Sequence, residues 1–212
     1  LLRTRIKFCG LRRAVDIASA VDCGVDAIGF VLVPASPRFI RAEDAATLRT
    51  RLPPFVSAVA LFKDQDAASV QDAIDTLRPD LLQFHGGEPA GFCASFGLPY
   101  LKSVAMRGKV SLKAEARRHA GAAGLLLDGH APGEMGGQGE TFDWAALPAV
   151  NKPLILAGGL TPRNVAKGIA LMQPYGVDVS SGIESRPGVK NATAMRDFVA
   201  AVRRADARRA KP

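Results

Sequence analysis

The sequence predicts an α/β chain folded as a single-domain (β/α)8, or TIM, barrel. Three observations carry this reading. Short apolar or β-branched runs recur eight times along the 212 residues, a spacing of roughly 26 residues per unit that suits a compact barrel. Helical patterns lie between most neighbouring runs, as strand-helix alternation with a parallel sheet requires. No G-x-G-x-x-G follows the first run, which argues against the competing doubly wound sheet.

The first strand is RIKFC (5–9), where apolar and polar residues alternate before Cys9-Gly10. Helical RRAVDIASAVD follows, then the strand AIGFVLV (27–33) and the helix AEDAATLRTRL. SAVALF (57–62) leads into AASVQDAIDTL, and LLQFHG (81–86), YLKSVAM (100–106) and GLLLD (124–128) are the next three strands. PLILAGG (153–159) precedes TPRNVAKGIALM, in which Thr161 suits an N-cap and Pro162 the first helical position. VDVSSG (177–182) is the eighth strand. The expected division is a barrel over 1–202 and a basic tail over 203–212.

A 48% hydrophobic composition provides for a sizeable core. No apolar segment is long enough for a membrane span and no signal-peptide pattern opens the chain, so a cytoplasmic protein is expected, with no membrane partner. Cys9, Cys23 and Cys93 fit neither a disulfide framework nor a C-x-x-C pair. The net charge is +8, and RRADARRAKP at the end, with five basic residues and one acid, supplies +4 of it. With two tyrosines, one tryptophan and no nucleic-acid motif, the charge reads as a solvated tail rather than a nucleic-acid surface.

In a (β/α)8 barrel the active site lies at the C-terminal ends of the strands. The tips here are Cys9, the loop PASPRF, His85, Arg107, Asp128, Gly158-Gly159 and Ser180-Ser181-Gly182. Glycines and small hydroxyls after strands 7 and 8 match the place where this fold builds a phosphate site from backbone N–H groups. A strand-tip cysteine is either a small apolar filler or a nucleophile or base, and the residues alone leave both open. His85 reads more readily as a packed histidine than as a ligand. No second His or Cys stands at metal-ligand spacing, so no metal is expected.

The motifs together resemble the phosphoribosylanthranilate isomerase family. KFCGL (7–11) is similar to its K-[IV]-C-G-[IL] opening, VLVPASPRFI to its F-x-x-x-S-P-R-[YF]-[IV], and LLQFHGGE to its L-Q-L-H-G-[DN]-E. LLLDGHAPGEMGGQGETFDW, LILAGGLTPRNV and GVDVSSGIESRPGVKN resemble its remaining barrel motifs, in order, from Lys7 to Asn191. Phe8, Gly87, Gly129 and Gln138 depart from the pattern at single positions.

The resemblance implies an Amadori rearrangement in tryptophan biosynthesis, without a cofactor, on a small phosphorylated substrate. It implies that Cys9 is the general base and Asp128 the general acid. Arg38 would hold the anthranilate carboxylate, because a planar guanidinium offers parallel donors to a planar acceptor. His85 is placed among the substrate-facing residues. So is Asp178, two positions before Ser180, with a supporting role beside Cys9 or Lys7. Gly158, Gly159, Ser180, Ser181 and Gly182 would hold the phosphate. The segment 129–141, with five glycines, is a candidate lid. Two alternatives stay open: another phosphate-binding-barrel isomerase or epimerase, and a non-catalytic phosphosugar-binding barrel. The expected assembly is a monomer or homodimer.

Overall fold

The computed structural model describes residues 3–108, 110–129, 142–144 and 147–209. Eight parallel strands close in sequence order: β1 (Arg5–Cys9), β2 (Ala27–Val31), β3 (Ser57–Phe62), β4 (Leu81–Phe84), β5 (Tyr100–Ala105), β6 (Gly124–Asp128), β7 (Leu154–Leu156) and β8 (Gly176–Val179). β1 pairs with both β2 and β8, so the eight-stranded barrel closes without an edge strand. Around the barrel run α1 (Ala14–Asp22), α2 (Ala42–Arg49), α3 (Ala67–Leu77), α4 (Ala90–Ala94), α5 (Leu112–Arg118), α6 (Val165–Met172) and α7 (Ala192–Arg209).

Strand periodicity sorts the side chains into two cores. Ile6, Phe8, Ile28, Phe30, Leu82 and Phe84 point outward and pack under helix residues such as Ile17, Ile74 and Phe198. Leu101, Leu126, Ile155 and Ala157 fill the interior, with Cys9, Val31, Val33 and Leu61 forming a separate cluster. Phe84, fully buried, lies against Phe62, Phe92, Phe96 and Tyr100 at centroid separations of 5.9–6.0 Å. Each such large side chain contributes about 1.5–3 kcal/mol of burial free energy.

Several strands stop earlier than their apolar runs. β2 ends at Val31, β4 at Phe84, β7 at Leu156 and β8 at Val179, and the following residues leave the sheet to form the upper rim. After β7 the reason is backbone conformation: Gly158 and Gly159 take φ of +77° and +62°, which no strand accommodates. α6 begins at Val165, not at Thr161. A turn precedes it, and the Thr161 carbonyl accepts the N–H groups of Asn164 and Val165. Between β6 and β7 the described residues contain no helix. Apart from Gly129, the glycine-rich candidate lid and Gln138 lie outside the described residues.

The boundary at 203 is corrected. Residues 203–209 are not a tail but the last turns of α7, with Ala205 and Asp206 buried. Asp206, the one acid of the basic segment, accepts from the backbone N–H of Thr4 at 2.9 Å and from its hydroxyl at 2.6 Å. Arg203 donates to the Thr4 carbonyl at 3.1 Å. The helix thus clamps the chain entering β1.

Candidate active site

Strand alternation decides which side chains meet at the upper rim. Lys7 and Cys9 share the inward face of β1, Gln83 and His85 that of β4 and its exit, and Asp178 and Ser180 that of β8 and its exit. Cys9, Arg38, His85, Asp128, Asp178 and Ser180 line one cavity, closed on another side by Gly158, Gly159 and Ser181. Nine of the ten residues singled out in the sequence therefore lie on its wall. The tenth, Gly182, stands behind it: a Cβ there would come 1.8 Å from the Leu160 carbonyl oxygen, so only glycine lets the two turns touch. Ser181 opens a 3-10 turn, Ser181–Ile183, directly after β8.

Cys9 is buried, and its backbone carbonyl accepts from the Ser180 hydroxyl at 3.0 Å. Burial pushes the thiol above its usual range, while the Lys7 ammonium pulls the other way and Asp178 adds to the rise. Lys7 donates to Asp178 Oδ1 at 2.9 Å. Burial works against the Lys7 charge, but the Asp178 carboxylate and Cys9 more than offset it, so its pKa is raised. Burial likewise raises Asp178, with Lys7 opposing.

Across the cavity, Asp128 is buried at the tip of β6. His85 faces it, with Nε2 3.6 Å from Asp128 Oδ2, while Nδ1 lies 3.3 Å from the Gln83 amide. His85 is thus both packed and turned toward the cavity. Arg38 is gripped from behind by Glu184, whose two oxygens accept from Nε and Nη2 at 2.9 Å each. The side chains of Lys63, Gln83, Glu184 and Lys190 were missed as site candidates in the sequence. Lys63 and Gln83 line the cavity. Glu184 and Lys190 stand inside the quoted segment GIESRPGVKN, which was the available signal. Among the described residues no cluster of three or more His, Cys, Asp or Glu side chains could hold a metal ion.

This arrangement sets a carboxyl group and a thiol on separate strands around one cavity, together with a guanidinium and the glycine turns that follow β7 and β8. The chain is similar to known proteins over nearly its whole length. The family model "N-(5'phosphoribosyl)anthranilate (PRA) isomerase" matches residues 6–201. The N-(5'-phosphoribosyl)anthranilate isomerase of Stenotrophomonas maltophilia (strain K279a) is 48% identical over 207 residues, covering 96% of this chain and 95% of the relative. The crystal structure of phosphoribosyl anthranilate isomerase from Thermotoga maritima is 35% identical, with TM-score 0.82, and 94% of this chain and 98% of that one are covered. A phosphoribosyl anthranilate isomerase in complex with reduced 1-(o-carboxyphenylamino)-1-deoxyribulose 5-phosphate is 31% identical, with TM-score 0.77, over 94% of this chain and 98% of that one. On these grounds the chain belongs to the N-(5'-phosphoribosyl)anthranilate isomerase family.

Proposed function

We propose that the chain catalyses the Amadori rearrangement of N-(5'-phosphoribosyl)anthranilate to 1-(2-carboxyphenylamino)-1-deoxyribulose 5-phosphate, an isomerisation of tryptophan biosynthesis. One observation carries the reading in this chain. Cys9 and Asp128, from opposite sides of the barrel, converge on a single cavity that also holds Arg38 and the glycine turns after β7 and β8.

Asp128 gives a proton to the furanose ring oxygen. The bond from that oxygen to sugar C1 then breaks, and the anilino nitrogen lone pair forms an iminium at C1. Cys9 removes the proton from C2, and the freed electron pair makes the C1–C2 double bond of an enolamine. Proton return to C1 with loss of the enol proton leaves the ketone, so atoms are conserved and no redox partner is needed.

A buried thiol resists ionisation, so the base needs positive charge nearby. Lys7 and Lys190 both favour the thiolate, and the iminium adds a further cation at the moment of proton transfer. His85 orients the Asp128 carboxyl. Arg38 receives the anthranilate carboxylate, and the backbone N–H groups around Gly158, Gly159 and Ser181 receive the phosphate.

The test is direct. Freshly prepared phosphoribosylanthranilate loses its anthranilate fluorescence when the purified protein is added, and Cys9→Ser protein leaves it nearly unchanged. A wild-type preparation that is folded yet leaves the fluorescence at the uncatalysed rate sinks the proposal.

A further inference from the structure

Arg38 poses an electrostatic difficulty. Its guanidinium is already bonded through Nε and Nη2 to the carboxylate of Glu184, and both side chains are nearly buried, at 11% and 5% exposure. An Arg–Glu pair is neutral. A second carboxylate brought against it in a low-dielectric site meets repulsion from Glu184 along with attraction from Arg38.

The chain that follows the 3-10 turn resolves this. Glu184 begins β9 (Glu184–Arg186), which pairs antiparallel with β10 (Val189–Lys190) and sets Lys190 opposite Glu184. The Lys190 side chain is completely buried. Its ammonium donates to Glu184 Oε1 at 2.8 Å and to the Ser180 carbonyl at 3.0 Å. The hairpin turn is seated on the loop that carries Arg38: Gly188 has φ of +75°, and a Cβ there would come 2.8 Å from the Pro37 carbonyl oxygen. Arg12 donates to that same oxygen at 3.0 Å. Neither Glu184 nor Lys190 lines the cavity. Together Arg38, Glu184 and Lys190 leave one positive charge uncompensated, and it is expressed at Arg38, the member that faces the cavity.

We propose that Glu184 and Lys190 are positioning residues for carboxylate recognition. Glu184 fixes the edge that the Arg38 guanidinium presents, and Lys190 supplies the charge that lets an arginine already paired with one carboxylate accept a second. This rests on the reading of Arg38 above and extends it to two residues that never touch the substrate.

The experiment compares two ligands by calorimetry: reduced 1-(o-carboxyphenylamino)-1-deoxyribulose 5-phosphate and the same compound without the ring carboxyl group. Wild-type protein is expected to prefer the carboxylated ligand by at least about tenfold, the size of one charge-assisted contact. Lys190→Met loses most of that preference, read as the ratio of the two affinities within the variant, so that any change passed through Ser180 to the phosphate end affects both ligands alike and cancels. Adding Glu184→Gln to Lys190→Met returns Arg38 to an unopposed cation and recovers part of the preference. Loss of a merely structural contact would not be repaired by removing a second one.

Lys190→Gln, which keeps a donor for the Ser180 carbonyl, repeats the comparison should the Met variant fail to fold. A wild-type preference that survives in both Lys190 variants overturns the inference alone, as does a double variant with no recovery. Wild-type protein that binds neither ligand overturns the proposed substrate, and the inference with it.

Discussion

Lys7 on β1 and Asp178 on β8 stand opposite each other in the strand register and meet in a 2.9 Å ion pair, both side chains under a tenth exposed. Cys9 is the next inward residue on the same strand. Gly29, across from it on β2, has no Cβ; one there would come within 2.8 Å of Cys9 Sγ and 3.1 Å of Lys7 Cε. The thiol and the lysine stem therefore share the space that glycine leaves. Two consecutive inward positions become one electrostatic unit, an ammonium held in place by Asp178 beside the proposed base.

Breaking that unit from one side leaves a buried charge without its partner. Lys7→Met is expected to lower unfolding free energy by about 3–5 kcal/mol, the range for removing one partner of a buried pair. Lys7→Met combined with Asp178→Leu recovers most of the stability, because both charges are gone, but not the turnover. Urea denaturation and fluorescence assays on the single and double variants check both halves.

Cys9 and Asp128 are expected to fail differently. Cys9→Ser replaces a thiol with a hydroxyl that hardly ionises near neutral pH, so kcat falls at least about a hundredfold while ligand binding persists. Asp128→Asn has no carboxyl proton to donate. Ring opening then becomes limiting, kcat falls by a similar or larger factor, and the isotope effect from deuterium at sugar C2 shrinks. Asp178→Asn keeps more activity than Asp128→Asn, since one Asp178 oxygen is committed to Lys7. The reverse ranking of the two asparagine variants would make Asp178 the acid.

Gly182→Ala probes the phosphate end. The added methyl group would overlap the Leu160 carbonyl, forcing the 3-10 turn away from the loop after β7. KM is expected to rise by tenfold or more with a smaller change in kcat, because phosphate is remote from the bonds that change. Inorganic phosphate, as a competitive inhibitor, should weaken in parallel. An unchanged inhibition constant would separate this turn from the phosphate.

A pH effect on stability is expected away from the active site. Burial, with help from Lys102, pushes His119 down from 6.5 to about 4. Its ring is buried edge-on against Tyr100, with centroids 6.3 Å apart. Between pH 4 and 6.5 the unfolded chain binds more protons at this residue than the folded one does. Stability therefore rises with pH through that window and is lost on acidification, by on the order of 2 kcal/mol. Glu184, held below its usual range despite burial because Arg38 and Lys190 face it, adds slope only below about 4.5. The difference between wild type and His119→Gln in urea midpoints from pH 4 to 7 isolates the histidine, and parallel curves would refute the assignment.

Asp206→Ala removes the acceptor for two Thr4 hydrogen bonds. A loss of about 1.5–3 kcal/mol is expected, since the Thr4 backbone and hydroxyl donors remain buried. Thermal unfolding measures it, and wild-type stability in the variant would return residues 203–209 to the status of a dispensable extension.

What the sequence determined by itself was everything local in period. Alternation in RIKFC and SAVALF, 3.6-residue patterns in AASVQDAIDTL, and glycines at the rim placed eight strands in order and put Cys9, His85, Asp128 and Gly158-Gly159 at their tips. Strand geometry has one simple consequence, that a tip faces the barrel mouth, so these positions follow from pattern alone. The motif resemblance added the reaction.

The tertiary structure decided the rest, because it joins residues that no local period relates. Lys7 and Asp178 are 171 residues apart, and Arg38 and Glu184 are 146 apart. An eight-unit barrel already implies closure of β8 onto β1, with Asp178 beside Cys9 or Lys7, and the folded side chains select Lys7; only the folded-back hairpin brings Glu184 and Lys190 behind Arg38. The same holds for Asp206. In sequence it is one acid among arginines; in the fold it is the anchor of the first strand, because burial leaves its carboxylate no water and the Thr4 donors take its place.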